Sequence, residues 1–159
     1  MAELTQATLK EALRYEPEAG IFYKVTTGKE CSYTNKRGYV IVSVKSKQHQ
    51  AHRLAFLYMN GCFPRGYVDH KNTCKSDNRW VNLREATNQQ NQRNRGLSVS
   101  NNSGHKGVSW NKDLNKWRVR IMIDNKSKSF GCFEDLELAA LVAYEAQETH
   151  FKDFNYTGK

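Results

Sequence analysis

The chain has 159 residues, with 25 Lys and Arg against 16 Asp and Glu, a formal net charge of +9 and a pI near 9.4. No apolar run reaches the ~18 residues that a membrane-spanning helix needs, and 38% hydrophobic content supports one or two small domains with modest cores. An excess of basic charge on this scale is the composition of a polyanion binder.

Met1–Thr5 carries neither a basic stretch nor an apolar run of signal-peptide type, so a cytoplasmic protein is expected. Thr5 suits the N-cap of a helix running to about Tyr15, with Leu9, Ala12 and Leu13 on one face. Pro17 and Gly20 end it in a turn. Ile21–Val25 and Gly38–Val44 are rich in β-branched and aromatic residues and predict two paired strands of a small scaffold sheet. Ala51–Asn60 predicts a helix with Leu54, Leu57 and Tyr58 on its apolar face, closed by Gly61. Pro64 and Gly66 then return the chain to a strand ending at Asp69-His70. The cysteines, Cys31, Cys62, Cys74 and Cys132, show no C-x-x-C spacing and are read as free thiols and not as zinc ligands.

The stretch from Val68 to Asn91 concentrates the polar chemistry. Its pattern predicts a strand ending in Asp69-His70, a polar loop, a second strand at Val81–Arg84, and a helix opened by Thr87 or Asn88. It gathers a possible base (His70), a carboxylate (Asp69) and two amides (Asn82, Asn91), groups that are costly to bury without partners. A divalent metal and a phosphate would supply those partners.

These residues resemble the HNH nuclease family, whose fold unit is a hairpin and helix wrapped around one metal ion. His70 matches the first letter of the motif and Asn82 the second. Asn91 stands where the third is usually His, a variation found among phage-borne homing endonucleases. Leu13–Tyr23 and Ala51–Phe56 are similar to segments that precede the motif in that branch, so the resemblance covers about the first 95 residues.

Phosphodiester hydrolysis needs an activated water, charge stabilisation on the phosphate and help for the leaving oxygen. The resemblance implies His70 as general base and Asn82 as the catalytic-site residue that holds the loop and His70 by hydrogen bonds. It implies Asp69 and Asn91 as metal ligands, whose hard oxygens suit Mg²⁺ or Mn²⁺. Adjacent strand residues point to opposite faces, so Asp69 and His70 share a site only if the strand ends or twists there. His52, in Ala-His-Arg-Leu, is read as a structural or phosphate-contacting residue, and His49, His105 and His150 as surface residues. Trp80 is assigned to the core, and Arg79 and Arg84 are candidate phosphate contacts.

From Arg93 to Gly104 the composition turns to Ser, Asn and Gly, as in a linker, with Arg93 and Arg95 placed to run along phosphates. Three strand-like runs follow, Lys106–Trp110, Lys116–Ile123 and Lys126–Phe130, and Asp124-Asn125 is a fair two-residue hairpin signal. Trp117, Val119, Ile121 and Ile123 alternate with Arg118, Arg120 and Met122, which predicts one core face and one basic face. A helix from about Asp135 carries Leu136, Ala139, Ala140, Ala143 and Ala146 as its packing stripe. Charge divides likewise: residues 93–130 balance to +7 and residues 131–159 to −4.

Gly107-Val108, Lys116-Trp117, Phe130–Phe133, Ala139-Ala140 and Ala143-Tyr144 resemble the APETALA-type DNA-binding domain of plant ethylene-response factors. In that family a three-stranded sheet backed by one helix enters the major groove. The resemblance implies Lys106, Ser109, Asn111, Arg118, Arg120, Met122 and Ser129 as DNA-facing residues. Several are Arg or Trp in the plant domains, so base preference does not transfer.

The expected architecture is therefore α+β: an HNH nuclease domain of the ββα-metal type over 1–95 (motif 67–94), a linker over 96–104, and a three-stranded antiparallel sheet packed on one helix over 105–156. The expected function is metal-dependent cleavage of double-stranded DNA by a phage-type homing endonuclease or nickase, acting as monomer or dimer and calling for no protein partner. The alternative is a non-catalytic DNA-binding transcriptional regulator.

Overall fold

The structure, a computed structural model, describes residues 4–151 and Phe154, so the expected end of the second domain at 156 lies outside the described residues. The molecule is α+β, built from small antiparallel sheets and short helices, and divides into two compact units after Asn91. No helix among the described residues is long and apolar enough to cross a membrane.

The first unit opens with helix α1 (Gln6–Ala12), capped by Thr5, whose hydroxyl accepts from the Thr8 amide while the Thr8 side chain accepts from the Thr5 amide. The expected extension to Tyr15 is wrong. Leu13–Glu16 forms strand β1 and pairs with β2 (Ile21–Lys24). Burial switches there from helical spacing to period two: Leu13 and Tyr15 are buried while Arg14 is exposed. Tyr15 stacks on Phe22 with centroids 4.7 Å apart. Strand-side packing thus overrides the helical reading of Leu9, Ala12 and Leu13.

The expected pairing of Ile21–Val25 with Gly38–Val44 is also wrong. Strand β4 (Val40–Val44) lies between β3 (Ser32–Thr34) and β5 (Lys47–Gln50) in a separate sheet. Lys45 and Ser46, both at positive φ, form the two-residue turn between β4 and β5. Neither residue is a usual signal for such a turn. Helix α2 (Ala51–Asn60) follows and ends at Gly61, whose amide bonds to the Leu57 carbonyl. Leu9, Phe22, Val42, Leu54, Val68 and Leu83 meet in one core. Full burial of a side chain such as Phe22 or Leu54 contributes roughly 1.5–3 kcal/mol.

Strand β6 (Tyr67–His70) pairs with β7 (Leu83–Ala86), and α3 (Asn88–Arg93) follows. The second motif strand begins later than expected, because Trp80–Asn82 makes a single 3-10 turn. Thr87 caps α3 reciprocally: its hydroxyl accepts from the Gln90 amide, and the Gln90 side chain accepts from the Thr87 amide.

In the second unit, β9 (Lys116–Ile123) lies between β8 (Val108–Asn111) and β10 (Lys126–Phe133). Asp124 and Asn125 both adopt positive φ in the β9–β10 turn. Val119, Ile121 and Ile123 are buried toward α4 (Leu136–Phe151), and Ala139, Ala143 and Ala146 bring that helix close. The Asp135 carboxylate caps α4 at the Leu138 amide.

The β1–β2 turn is built against the loop that follows β6. Gly20 has φ +74, and a Cβ there would collide with the backbone of Asn78 and Arg79. Gly28 also has positive φ, with nothing within 4 Å of such an atom. Gly28→Ala is expected to lose about 1 kcal/mol for its backbone conformation alone. Gly20→Ala should lose roughly 2–3 kcal/mol and displace the loop, measured as a lower urea midpoint. Equal losses at the two positions would show that the close approach of Gly20 to the loop is unimportant.

Candidate active site

The loop between β6 and β7 has little apolar content, so its backbone groups need side-chain partners. Asn82 supplies several: its Oδ1 accepts from the Asn72 amide at 3.0 Å, its Nδ2 donates to the Asp77 carbonyl at 2.8 Å, and its own carbonyl accepts from the Lys71 amide at 2.9 Å. Asn72 continues the network, accepting from the Cys74 amide and donating to the Asp77 carboxylate. Arg79 makes two hydrogen bonds to Asp77, which hold that carboxyl down at about 2. Arg79, read from the sequence as a phosphate contact, is therefore engaged within the loop.

His70 ends β6 and is buried. Its Nε2 lies 3.2 Å from Oδ1 of Asn78, a residue that the sequence reading did not single out. Asn78 is 1% exposed, and its carbonyl accepts a 2.6 Å bond from the Tyr15 hydroxyl. His52 of α2 stands edge-on to His70, with centroids 5.1 Å apart, and Tyr39 contacts both rings. Burial pushes the His70 imidazole down; the Asn78 hydrogen bond and the Asp69 and Asp77 carboxylates push it up, and Lys75 pushes it down. The net displacement is downward, which leaves a neutral ring able to accept a proton.

Asp69 is paired directly across the hairpin with Arg84, whose Nε and terminal nitrogen lie 2.8 and 2.7 Å from its Oδ2. Arg84 is thus also engaged, here in a largely buried ion pair. Asp69 and His70 are both buried at the end of the strand, and the Asp69 carboxylate still acts on the proton affinity of His70. Asn91 is half-buried on α3.

No three His, Cys, Asp or Glu side chains gather into a metal cage among the described residues. Mg²⁺ does not require one, because it retains several waters and is commonly held by one or two carboxylates together with substrate phosphate. The carboxylate of Asp69 and the amide oxygen of Asn91 are hard donors of the right chemistry for such a partial site.

His52 is 4% exposed, and its Nδ1 has no hydrogen-bond partner among the described residues. Its ring packs against those of Tyr39 and His70, the surroundings of a structural residue. Its imidazole is pushed down to about 3 by burial, by His70 and by Arg53. His49 stacks on Phe63, half-buried instead of fully on the surface. Trp80 packs edge-on to Phe56 against the core.

In the second unit, strand register places Ser109, Arg118, Arg120, Met122 and Ser129 on the face of the sheet away from the buried β9 residues. Arg120 and Met122 are exposed, and Arg118 is half-buried with an Nε that has no protein partner among the described residues. Asn111 accepts from the Asp113 and Leu114 amides in the β8–β9 turn. Lys106 does not join the face: it donates to the carbonyls of Arg93 and Arg95, and burial, with Arg95 beside it, pushes its amine down to about 8. Arg93 lies over the Phe151 ring and pairs with Asp124, while Arg95 is exposed.

Residues 49–93 match the family model described as HNH endonuclease. The chain is 34% identical over 92 residues to Protein 3.8 of Escherichia phage T7, a match spanning 57% of this chain and 76% of that protein. A solved structure described as "DNA binding and cleavage by the HNH homing endonuclease I-HmuI" is 27% identical, covers 74% of this chain and 71% of its own, and has a TM-score of 0.44. The family-model match contains His52, Asp69, His70, Asn78, Asn82 and Asn91 but not Tyr15 or Gly20.

His52 makes stability depend on pH. The unfolded chain takes up its proton near 6.5 and the folded chain only near 3, so the contribution is complete above about 6.5 and is lost as pH falls toward 3. Between about pH 7.5 and pH 5 this one group should remove roughly 2 kcal/mol, and His52→Phe should remove that part of the slope. Urea denaturation of both proteins at the two pH values provides the measurement; an unchanged slope in the variant would show that another group carries it.

Proposed function

Because the chain belongs to the HNH endonuclease family, we propose that it is a metal-dependent endonuclease cutting double-stranded DNA, of the phage-borne homing or nicking type. The observation that carries this reading is the placement of His70. A buried, neutral imidazole ends β6 beside Asp69, on a loop that Asn82 ties together.

His70 would take a proton from water as the water oxygen forms a bond to phosphorus. The P–O bond to the leaving sugar oxygen then breaks, and that oxygen receives a proton from solvent. Asn82 would keep the loop closed under His70 and make no bond to the reacting atoms. Asp69 and Asn91 would hold Mg²⁺ or Mn²⁺, whose chemistry there is to stabilise charge on the phosphate and the leaving oxygen. One such site in a chain favours cutting one strand, and a dimer would be needed to cut both.

The second unit would serve as the DNA-positioning element, through an APETALA-type sheet face. Its support is the register that puts Arg118 and Arg120 on one open face beside Ser109 and Ser129. Arg95 adds an exposed cation in the preceding segment.

His70→Ala should lower nicking of supercoiled plasmid in Mg²⁺ or Mn²⁺ by about 10²–10⁴-fold and leave DNA affinity nearly unchanged. Nicking at the wild-type rate by this variant would remove the base assignment, and absence of metal-dependent nicking by the wild type would favour a non-catalytic DNA-binding regulator.

Replacing Arg118 and Arg120 by Ala should weaken DNA binding and flatten its salt dependence by about 0.9 in the log–log slope for each phosphate left without its cation. If one of them reads a base edge, discrimination at one base pair should instead fall by about 1–3 kcal/mol. Unchanged affinity, slope and site choice would move the DNA-binding surface away from the sheet.

A further inference from the structure

A neutral imidazole has one protonated nitrogen and one with a lone pair, and only the second can accept a proton. Which nitrogen of His70 is which follows from the bonds of Asn78. The Asn78 Nδ2 lies 3.1 Å from the Ser76 carbonyl, which can only accept, so the amide must point its NH₂ group there. Its Oδ1 therefore faces His70 Nε2 at 3.2 Å, and an amide oxygen can only accept. The hydrogen bond exists only when His70 carries its proton on Nε2.

Three interactions keep Asn78 from turning away. The Tyr15 hydroxyl donates to its carbonyl, in a bond 2.6 Å long. Gly20 lies so close to the Asn78–Arg79 peptide that a side chain there would collide with it. Trp80, two residues on, donates its amide to the Pro17 carbonyl at 2.9 Å. The β1–β2 hairpin thus grips the backbone around Asn78, and the side chain is 1% exposed, with no solvent to offer an alternative partner. His52 and Tyr39 pack against the His70 ring and oppose its rotation.

We propose that Asn78 is a positioning residue for DNA cleavage: its side-chain oxygen keeps the His70 proton on Nε2 and so makes Nδ1 the nitrogen that accepts the proton of the attacking water. This rests on His70 being the base, and it adds the residue that selects the working tautomer. Asn78 touches neither water nor phosphate and acts through the imidazole, as the partners of metal-bound and catalytic histidines do.

The test uses the full chain labelled with ¹⁵N, in which the ring-nitrogen shifts of His70 report the tautomer without metal or DNA. The wild type should show a protonated Nε2 and a lone pair on Nδ1. Asn78→Ala should give a mixed tautomer and reduce single-turnover nicking by roughly 10–100-fold without changing DNA affinity. Asn78→Asp keeps an oxygen against Nε2 and should retain the Nε2 proton, but its second oxygen opposes the Ser76 carbonyl, so the tautomer and not the rate is its readout. A wild-type proton on Nδ1 overturns the proposal, whether or not the Ala variant folds. So does an Ala variant that keeps the single Nε2–H tautomer and the wild-type rate. If the tautomer responds to these substitutions while no form of the protein cuts DNA, the positioning role stands and the endonuclease reading falls.

Discussion

The first unit depends on holding a polar loop in one conformation without an apolar core beneath it. Between His70 and Trp80 the chain has no large hydrophobic residue, and it forms neither strand nor helix. Side-chain amides take the place of secondary structure: Asn72, Asn78 and Asn82 bond to backbone groups that would otherwise lack partners. Each such bond is worth only about 1 kcal/mol net, but leaving a buried group unpaired costs roughly 1–3 kcal/mol. The asymmetry favours one closed network over many partly open ones. It explains how a loop with exposed Lys71, Thr73 and Lys75 can still set the place of a buried imidazole.

The charges around that loop differ in what they can contribute. Asp69 and Arg84 are largely buried and meet across the hairpin, so losing either would strand a charge in low dielectric, at a cost of roughly 3–5 kcal/mol. Arg79 is half exposed, and its pairing with Asp77 shapes the loop more than it stabilises the fold. Arg14–Glu16 and Lys116–Glu134 are exposed pairs of the kind that contributes about 0–1 kcal/mol. The buried pair stands one residue from His70, and its carboxylate raises the proton affinity of that imidazole.

Elements with strong periodicity were legible in the sequence. Leu54 and Leu57 marked α2, the alternation from Trp117 to Ile123 marked β9, and the alanines marked the packed face of α4. The failures had local causes. Leu13 fits both a helical stripe and a strand alternation, and only the partner strand with Phe22 decides between them. Lys45-Ser46 forms a tight turn without Gly or Asn, so β5 went unseen. In the site, Asp69, His70, Asn82 and Asn91 stood out because charge and amide groups cluster at a family spacing. Asn78 did not, because its signal is a set of interactions with Tyr15 and Gly20, more than fifty residues earlier in the chain. Arg84 and Lys106 looked like free cations because a sequence does not reveal that Asp69 and two carbonyls already hold them.

The grip of the β1–β2 turn on the loop bears on how portable the motif is. The family-model match begins at residue 49, after that turn. A segment excised at the edge of the match and grafted onto another scaffold would carry the imidazole, the carboxylate and the amides, but not the hydroxyl of Tyr15, the carbonyl of Pro17 or the bare backbone of Gly20 that hold Asn78 and Trp80. Recombination that exchanged the motif alone would transmit the letters and lose their arrangement. A unit that can be inherited or transplanted intact has to include the first hairpin.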